Sequence, residues 1–306
     1  MTSFVDIKKY CRRLILAADD KDADEIRRVW DEFVPVAKDY ERSAGNITVD
    51  LLRALNLIEG VDRGDVCILD HGCGGGGKTL FLMAVGYTNI YGVTVNQDTS
   101  NLEYVASVVC GTDHTRFHQI DGSSICFEDE KFHFVFSLQV LEHVNHDHIE
   151  SFYAEEARVL KPGGVVYHEV PHQFVPFDSH AGLWFAHWAP RSLKPLAYGF
   201  GKTIQKRENM FPAGKLYTQQ LDGGFLFLRS PYFHYRKLMQ YFGNYDDWTV
   251  NKLTRRNNDP ESYDSSAPLR IRQMMAAIFR LPVVGGFLAH LLRFGFMLQT
   301  VSVKTP

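Results

Sequence analysis

The 306-residue sequence lacks several features that would assign its class directly. Its five cysteines form no C-x-x-C pair, and their odd number argues against a disulfide framework or a zinc site. No run of about 18 apolar residues occurs, so we expect no membrane-spanning helix and at most peripheral membrane contact. The formal net charge of −3 gives no general reason to bind nucleic acid. We therefore expect a cytoplasmic monomer or homodimer with reduced thiols.

The chain divides into zones with different patterns. Residues 1–60 are predicted to form an N-terminal helical cap, in which Pro35 ends one helical run. Residues 61–306 are expected to form one domain, with an aromatic-rich lid inserted at about 171–228. Between residues 65 and 170, short apolar strands alternate with helical patterns, which indicates an α/β, doubly wound, mostly parallel sheet.

The later part of the chain adds a strand at 248–250 and an apolar helical stretch over 274–292. We expect that stretch to pack against the domain and to lead into a last strand at 296–303. The strands of the central zone are predicted at 66–69, 89–93, 116–120, 133–137 and 165–170.

A glycine-rich loop follows the first of these strands and satisfies the P-loop pattern G-x-x-x-x-G-K-T from Gly72 to Thr79. A P-loop protein also needs an acid at the end of a second strand to hold Mg²⁺, but the best candidate strand ends in Ser137. Asp70, two residues before the loop, has no role in phosphate binding, yet it suits a ligand's α-amino group. The helix start after Gly77 suits a carboxylate. A P-loop phosphotransferase therefore remains only the alternative.

Further sequence blocks follow this loop in a fixed order. They are Ile68–Gly76 (I-L-D-H-G-C-G-G-G), Asp121–Phe127 (D-G-S-S-I-C-F), Phe132–Val144 (F-H-F-V-F-S-L-Q-V-L-E-H-V) and Leu160–Gly164 (L-K-P-G-G). Together they resemble the class I S-adenosylmethionine-dependent methyltransferases over about a third of the chain. The resemblance implies a Rossmann-like, seven-stranded sheet with an antiparallel last strand. It also implies S-adenosylmethionine as cofactor and S-adenosylhomocysteine as product.

The resemblance implies a cofactor site drawn from four blocks. Its residues are Asp70, Gly72, Cys73, Gly74, Thr94, Asn96, Gln97, Asp121, Gly122, Ser123, Leu138 and Gln139. Thr94 stands where the family usually has an acid for the ribose, so we expect Asn96, Gln97 or Asp98 to serve there. The sequence Gly92-Val93-Thr94 is similar to that of the cyclopropane-fatty-acid-synthase branch, so a lipid acceptor remains an alternative.

Histidines are concentrated after the fourth predicted strand, and three of them are candidate general bases: His143, His172 and His180. Methyl transfer to a hydroxyl requires loss of a proton, and histidine titrates in the right range. No H-E-x-x-H or Cys/His spacing appears, so no metal is predicted. We expect O-methylation of a small-molecule sugar, glycolipid or natural product. The alternative is C- or N-methylation of a lipid or quinone-type acceptor.

Overall fold

The computed structural model describes residues 4–42, 48–95, 97–111, 115–178, 183–190, 192–199, 227–250 and 283–305, with residues 270, 273, 274, 277, 278 and 281 between the last two ranges. A seven-stranded sheet has the order β3-β2-β1-β4-β5-β9-β8. Its strands are β1 (Ile68–His71), β2 (Ile90–Thr94), β3 (Phe117–Gln119), β4 (Phe132–Leu138), β5 (Leu160–Val170), β8 (Asp246–Asp247) and β9 (Leu298–Val303).

The first five strands run parallel, and β9 runs antiparallel to both β5 and β8. The predicted mostly parallel sheet with an antiparallel last strand is therefore confirmed. A small separate hairpin pairs β6 (Phe177–Asp178) with β7 (Leu183–Trp184).

Helices cover both faces of the sheet, which explains why its central strands are apolar on both sides. In β4, Phe134 and Phe136 belong to one buried cluster and Val135 to the other. The helices are α1 (Phe4–Asp19), α2 (Ala23–Arg42), α3 (Thr48–Leu55), α4 (Gly77–Ala84), α5 (Ser100–Cys110), α6 (Ile149–Val159), α7 (Lys194–Gly199), α8 (Pro231–Phe242) and α9 (Val284–Leu292).

The N-terminal helices share one core with the sheet. Helices α1 and α2 pack against each other and against α4 and α5, and α6 and α8 pack together in the other cluster. Pro35 does not end its helix as predicted, because α2 continues to Arg42. Residues on both sides of the proline, including Phe33 and Ala37, are buried, and this packing holds the two halves together.

The late part of the chain differs from the sequence prediction in two places. The predicted strand at 248–250 is wrong: the strand is Asp246–Asp247, and residues 249 and 250 are helical. The expected packing of the apolar stretch at 274–292 holds only in part for α9, where Gly285 is buried but Phe287 and Leu291 are exposed. Within the described ranges, no helix is long and apolar enough to cross a membrane.

Candidate active site

The glycine loop leaves β1 at the carboxyl edge of the sheet and passes close to its neighbours. Gly72 and Gly76 have φ values of +100° and +73°, and a Cβ on either would collide with Val140 or Leu102, respectively. Gly75 and Gly77 instead face open space, since a Cβ there would meet nothing within 4 Å. The loop therefore needs glycine both to turn and to leave room for a ligand.

Helix α4 begins directly after this loop without a side-chain cap, because its N-cap is Gly76. Its first backbone N–H groups and its dipole favour an anion such as a carboxylate. Gly75 and Gly77 line a cavity of about 730 Å³ that also contains Asp70. An anion-binding helix start and an acid therefore border the same space.

Asp70 is nearly buried at the end of β1. Its Oδ2 accepts a hydrogen bond from the Thr79 hydroxyl at 2.7 Å. Burial raises the pKa of this carboxyl to about 7, and the Thr79 hydrogen bond only partly opposes that rise. A ligand ammonium group beside Asp70 would favour the charged form of the Asp70 carboxyl. Asp70 and the start of α4 together therefore fit the ammonium and the carboxylate of an amino acid.

A second cavity, of about 540 Å³, lies on the other side of the loop and shares Gly72 and Gln139 with the first. The two cavities together bring most of the predicted cofactor residues to one edge of the sheet. The second is lined by the predicted residues Gly72, Gly74, Thr94, Gln97, Asp121, Gly122 and Gln139, and the first by Asp70, Gly72, Cys73, Leu138 and Gln139.

Two predicted cofactor residues are not among the lining side chains. Asn96 lies outside the described residues. Ser123 lines neither cavity; its backbone N–H and hydroxyl donate to Asp121 Oδ1 at 2.8 and 2.6 Å. These hydrogen bonds lower the pKa of Asp121 and hold its carboxylate in place at the cavity.

Glu169 and Lys78 are charged residues of the larger cavity that the sequence did not predict. Glu169 is buried in β5, and its carboxylate accepts hydrogen bonds from Gln139 Nε2 at 3.3 Å and Gln299 Nε2 at 2.8 Å. Burial lowers the pKa of Lys78 to about 8, against the attraction of Glu169. An acid in the buried part of β5 was the available sequence signal for Glu169.

One face of α1 covers the larger cavity. Ile7, Cys11 and Ile15 form an inner row at every fourth position, and an outer row follows one residue later, made of Lys8, Arg12 and Leu16. This spacing places all six residues on one side of the helix. The N-terminal helix therefore supplies an apolar wall with two cations beside it.

The three candidate histidine bases are not brought together. His143 lines the smaller cavity, and His180 lies outside the described residues. His172 is buried, its Nε2 is bonded to the Phe296 carbonyl oxygen at 2.9 Å, and it lines a separate, small cavity with Glu142. Burial lowers the pKa of His172 to about 4. The structure thus places His172 away from the space where we expected a base.

Glu142, from the same L-E-H-V block, also faces that small cavity. Glu142 is 1% exposed, and among the described residues neither carboxylate oxygen has a hydrogen-bond partner. Burial raises its pKa to about 8. Among the described residues, no group of three or more His, Cys, Asp or Glu side chains is arranged to hold a metal ion.

Comparison with known proteins gives a family for the central part of the chain. Residues 69–168 match the family model described as "Methyltransferase domain". The chain is 32% identical over 100 residues to 24-methylenesterol C-methyltransferase 2 of Oryza sativa subsp. japonica, and 32% identical over 108 residues to the protein of that name from Arabidopsis thaliana. Each match covers 32% of this chain and 27% of the relative, so the chain matches about a quarter of each relative's length.

Solved structures of similar shape include geranyl diphosphate methyltransferase in complex with S-adenosylmethionine, with a TM-score of 0.45, 15% identity and 90% of each chain covered. Another is Haemonchus contortus phosphoethanolamine N-methyltransferase 2 with S-adenosylhomocysteine, with a TM-score of 0.42, 15% identity, and 89% of this chain and 58% of that chain covered. The matched residues 69–168 hold the glycine loop, Asp70 and most of both cavities. This part of the chain therefore matches a methyltransferase domain, in agreement with the resemblance of its sequence blocks to the class I S-adenosylmethionine-dependent methyltransferases.

Proposed function

We propose that the two joined cavities hold the cofactor across the glycine loop. Asp70 and the start of α4 would bind its ammonium and carboxylate groups. Gln97, Asp121 and Gly122 would meet its adenosine. When bound, S-adenosylmethionine supplies a methyl group on a positively charged sulfur. Support comes from the opposite charges at the loop and from the shared lining residues Gly72 and Gln139.

The acceptor we propose is a small molecule with a largely apolar body. The observation that carries this is the inner row of α1, where Ile7, Cys11 and Ile15 face the same cavity as Phe136 and Leu138. Apolar walls favour apolar ligand surface, at about 25 cal/mol per Å² removed from water. A sugar would leave its hydroxyl groups unsatisfied against such walls.

Glu169 is the residue we propose beside the reacting atom of the acceptor. Transfer of a methyl group to a hydroxyl leaves a proton to be removed, and a buried carboxylate in the cavity can accept it. The expected O-methylation therefore stays our first proposal for the atom, with Glu169 replacing histidine as base. Of the described histidines, none lines this cavity.

Carbon methylation is the second candidate, and the identity to two proteins named as sterol C-methyltransferases favours it. Addition of a methyl cation to an alkene leaves positive charge on the acceptor. The buried carboxylate of Glu169 would stabilise that charge. The two candidates differ in the atom that carries the new methyl group, and so in the product.

Two measurements test this function in sequence. Calorimetry should show S-adenosylhomocysteine binding, whereas binding of ATP with Mg²⁺ alone would refute the methyltransferase proposal. In the second measurement, the enzyme is given cofactor with a ¹³C-labelled methyl group together with extracted lipids or apolar alcohols. NMR then shows whether the label is on oxygen or on carbon. Label found only on sugars would refute the apolar acceptor.

The role of Glu169 has its own test. We expect Glu169→Gln to lower turnover by roughly 10²-fold or more, because the amide can neither take a proton nor carry charge. Affinity for S-adenosylhomocysteine should change less than about threefold, since the side-chain size is kept and the Gln139 or Gln299 amide can turn its oxygen to accept from the new NH₂ group. Glu130→Gln, at a side chain 58% exposed, is the matched control and should leave both values unchanged. Full turnover in Glu169→Gln would remove this residue from the mechanism.

A further inference from the structure

A group of large apolar side chains lies on the surface after β5 rather than in the core. This aromatic face has two segments. The first contains Trp184 at the end of the β6–β7 hairpin, with Phe185, Trp188, Leu193 and Leu196 after it; the second contains Val283, Phe287 and Leu291, from α9 and the residue before it. Its most exposed members are Val283 at 89%, Phe287 at 67% and Trp184 at 65%. Clusters of this kind on a protein surface mark interaction sites.

Residues that flank the two segments of the aromatic face contact each other. Phe174 lies 6.1 Å from Phe294 between ring centroids, and Gly295 lies beside Pro176. Within the first segment the rings of Phe185 and Trp188 are also in contact, with centroids 5.0 Å apart. The chain leading into the first segment therefore lies beside the residues that follow α9.

Local geometry turns these side chains outward. Val283, Phe287 and Leu291 are spaced by four residues, so they share one side of α9, and that side faces solvent. Phe185 holds a φ of +59°, a backbone conformation that a bulky residue rarely adopts. Trp188 satisfies its indole N–H on the Gln173 carbonyl oxygen at 2.7 Å, which anchors its ring at the surface.

The stretches of sequence that carry the aromatic face are basic. Arg293 directly follows α9, and from residue 265 to residue 306 the sequence has five basic residues and no acidic one. In the first segment Lys194 is basic, whereas Asp178, the acid between residues 171 and 199, is buried. These stretches are therefore basic within a chain whose net charge is −3.

We propose that the aromatic face docks on the surface of an anionic lipid bilayer. Exposed Trp, Phe and Leu side chains bordered by Arg and Lys are the composition that binds the headgroup boundary without crossing the membrane. A second copy of the chain is the weaker occupant. In a symmetric dimer the same positive surface would meet itself, and like charges would oppose the contact.

Vesicle flotation tests this proposal with the full chain. The protein should float with vesicles of phosphatidylcholine mixed with phosphatidylserine, and more weakly with phosphatidylcholine alone. The pair Trp184→Ser and Phe287→Ser should lower the partition coefficient by about tenfold or more, because both side chains lose apolar burial. Leu57→Ser is the matched control; Leu57 is 45% exposed, lies between α3 and β1, and should not matter.

A charge reversal gives a second, independent variant. Arg293→Glu should weaken binding to phosphatidylserine vesicles by about fivefold or more and leave binding to neutral vesicles unchanged. Affinity for S-adenosylhomocysteine should be unaltered in every variant, which separates failure of docking from failure of the proposed function.

Two results would overturn the proposal. One is wild-type protein that does not float with anionic vesicles, or that floats equally well after the two serine substitutions. The other is a dimer in sedimentation velocity that these substitutions dissociate, with no vesicle binding by the wild type; the aromatic face would then be a protein interface.

Discussion

The buried carboxyl of Glu142 makes a prediction about stability that needs no substrate. Burial raises its pKa from 4.5 to about 8, and within the described ranges neither of its oxygens has a hydrogen-bond partner. In the unfolded chain the same carboxyl ionises near its ordinary pKa. Folding at neutral pH must therefore bind a proton to Glu142, and the free energy of unfolding falls as the pH rises.

The size of this effect follows from the two pKa values. Each tenfold change in proton affinity corresponds to about 1.4 kcal/mol. Keeping Glu142 protonated at pH 7 therefore costs the folded state roughly 3 kcal/mol. The cost is absent below about pH 4.5, grows between pH 4.5 and 8, and is constant above. Glu142→Gln keeps the shape without the ionisation, so it should stabilise the protein by about 1–3 kcal/mol at pH 7.

Chemical denaturation of both proteins from pH 5 to pH 8 measures this difference directly. The stabilisation by Glu142→Gln should be small at pH 5 and increase steadily towards pH 8. Glu155→Gln is a control with the opposite sign. Hydrogen bonds from Arg158 lower the pKa of Glu155, so the variant, which loses the charged carboxylate, should be less stable than the wild type at neutral pH. A difference for Glu142→Gln that does not change with pH, or a loss of stability at pH 7.5, would refute the reasoning.

Two other predictions concern the ligand and the sheet. Asp70→Asn should weaken S-adenosylhomocysteine binding by roughly 10–100-fold in calorimetry. In the wild type, binding should tighten between pH 6 and 8, because the pKa of Asp70 is about 7 and its carboxyl becomes charged over this range. Equal affinity in both proteins at pH 8 would contradict this role. A chain ending at Phe294 should not fold, since β9 pairs with β5 and β8 and its Leu298, Gln299 and Thr300 are fully buried. A soluble truncation with a cooperative thermal transition would disprove it.

The sheet was predictable because its strands are short, apolar and separated by helical patterns. A strand buried on both faces leaves a continuous apolar run, as in β4, and the structure places its ends within one residue of the predicted 133–137. The glycine loop was predictable for a different reason, since positive φ values and close approach leave few alternatives to glycine. Both signals are local in sequence.

The failures have in common that long-range packing decided the outcome. Pro35 is tolerated because buried residues on both sides hold α2 together. The pattern of α9 indicates an apolar helix, but periodicity cannot say whether its apolar side faces a core or solvent. In the sequence, Glu169 only interrupts a buried strand. Its hydrogen-bond partners are Gln139, directly after β4, and Gln299 in β9. Sequence separations of 30 and 130 residues hide such a site from any short motif.

The Gly-Lys-Thr ending of the glycine loop shows how a phosphate motif and this site can coincide. These three residues each have a contact at the site. Gly77 lines the larger cavity, Thr79 donates its hydroxyl to Asp70, and Lys78 reaches the same cavity as Glu169. A P-loop uses such a lysine against phosphate charge, whereas here burial lowers its pKa to about 8 beside two carboxylates. In the proposed function the same helix start would serve an amino-acid ligand, because Asp70 at the end of β1 supplies a negative charge that a phosphate site would exclude.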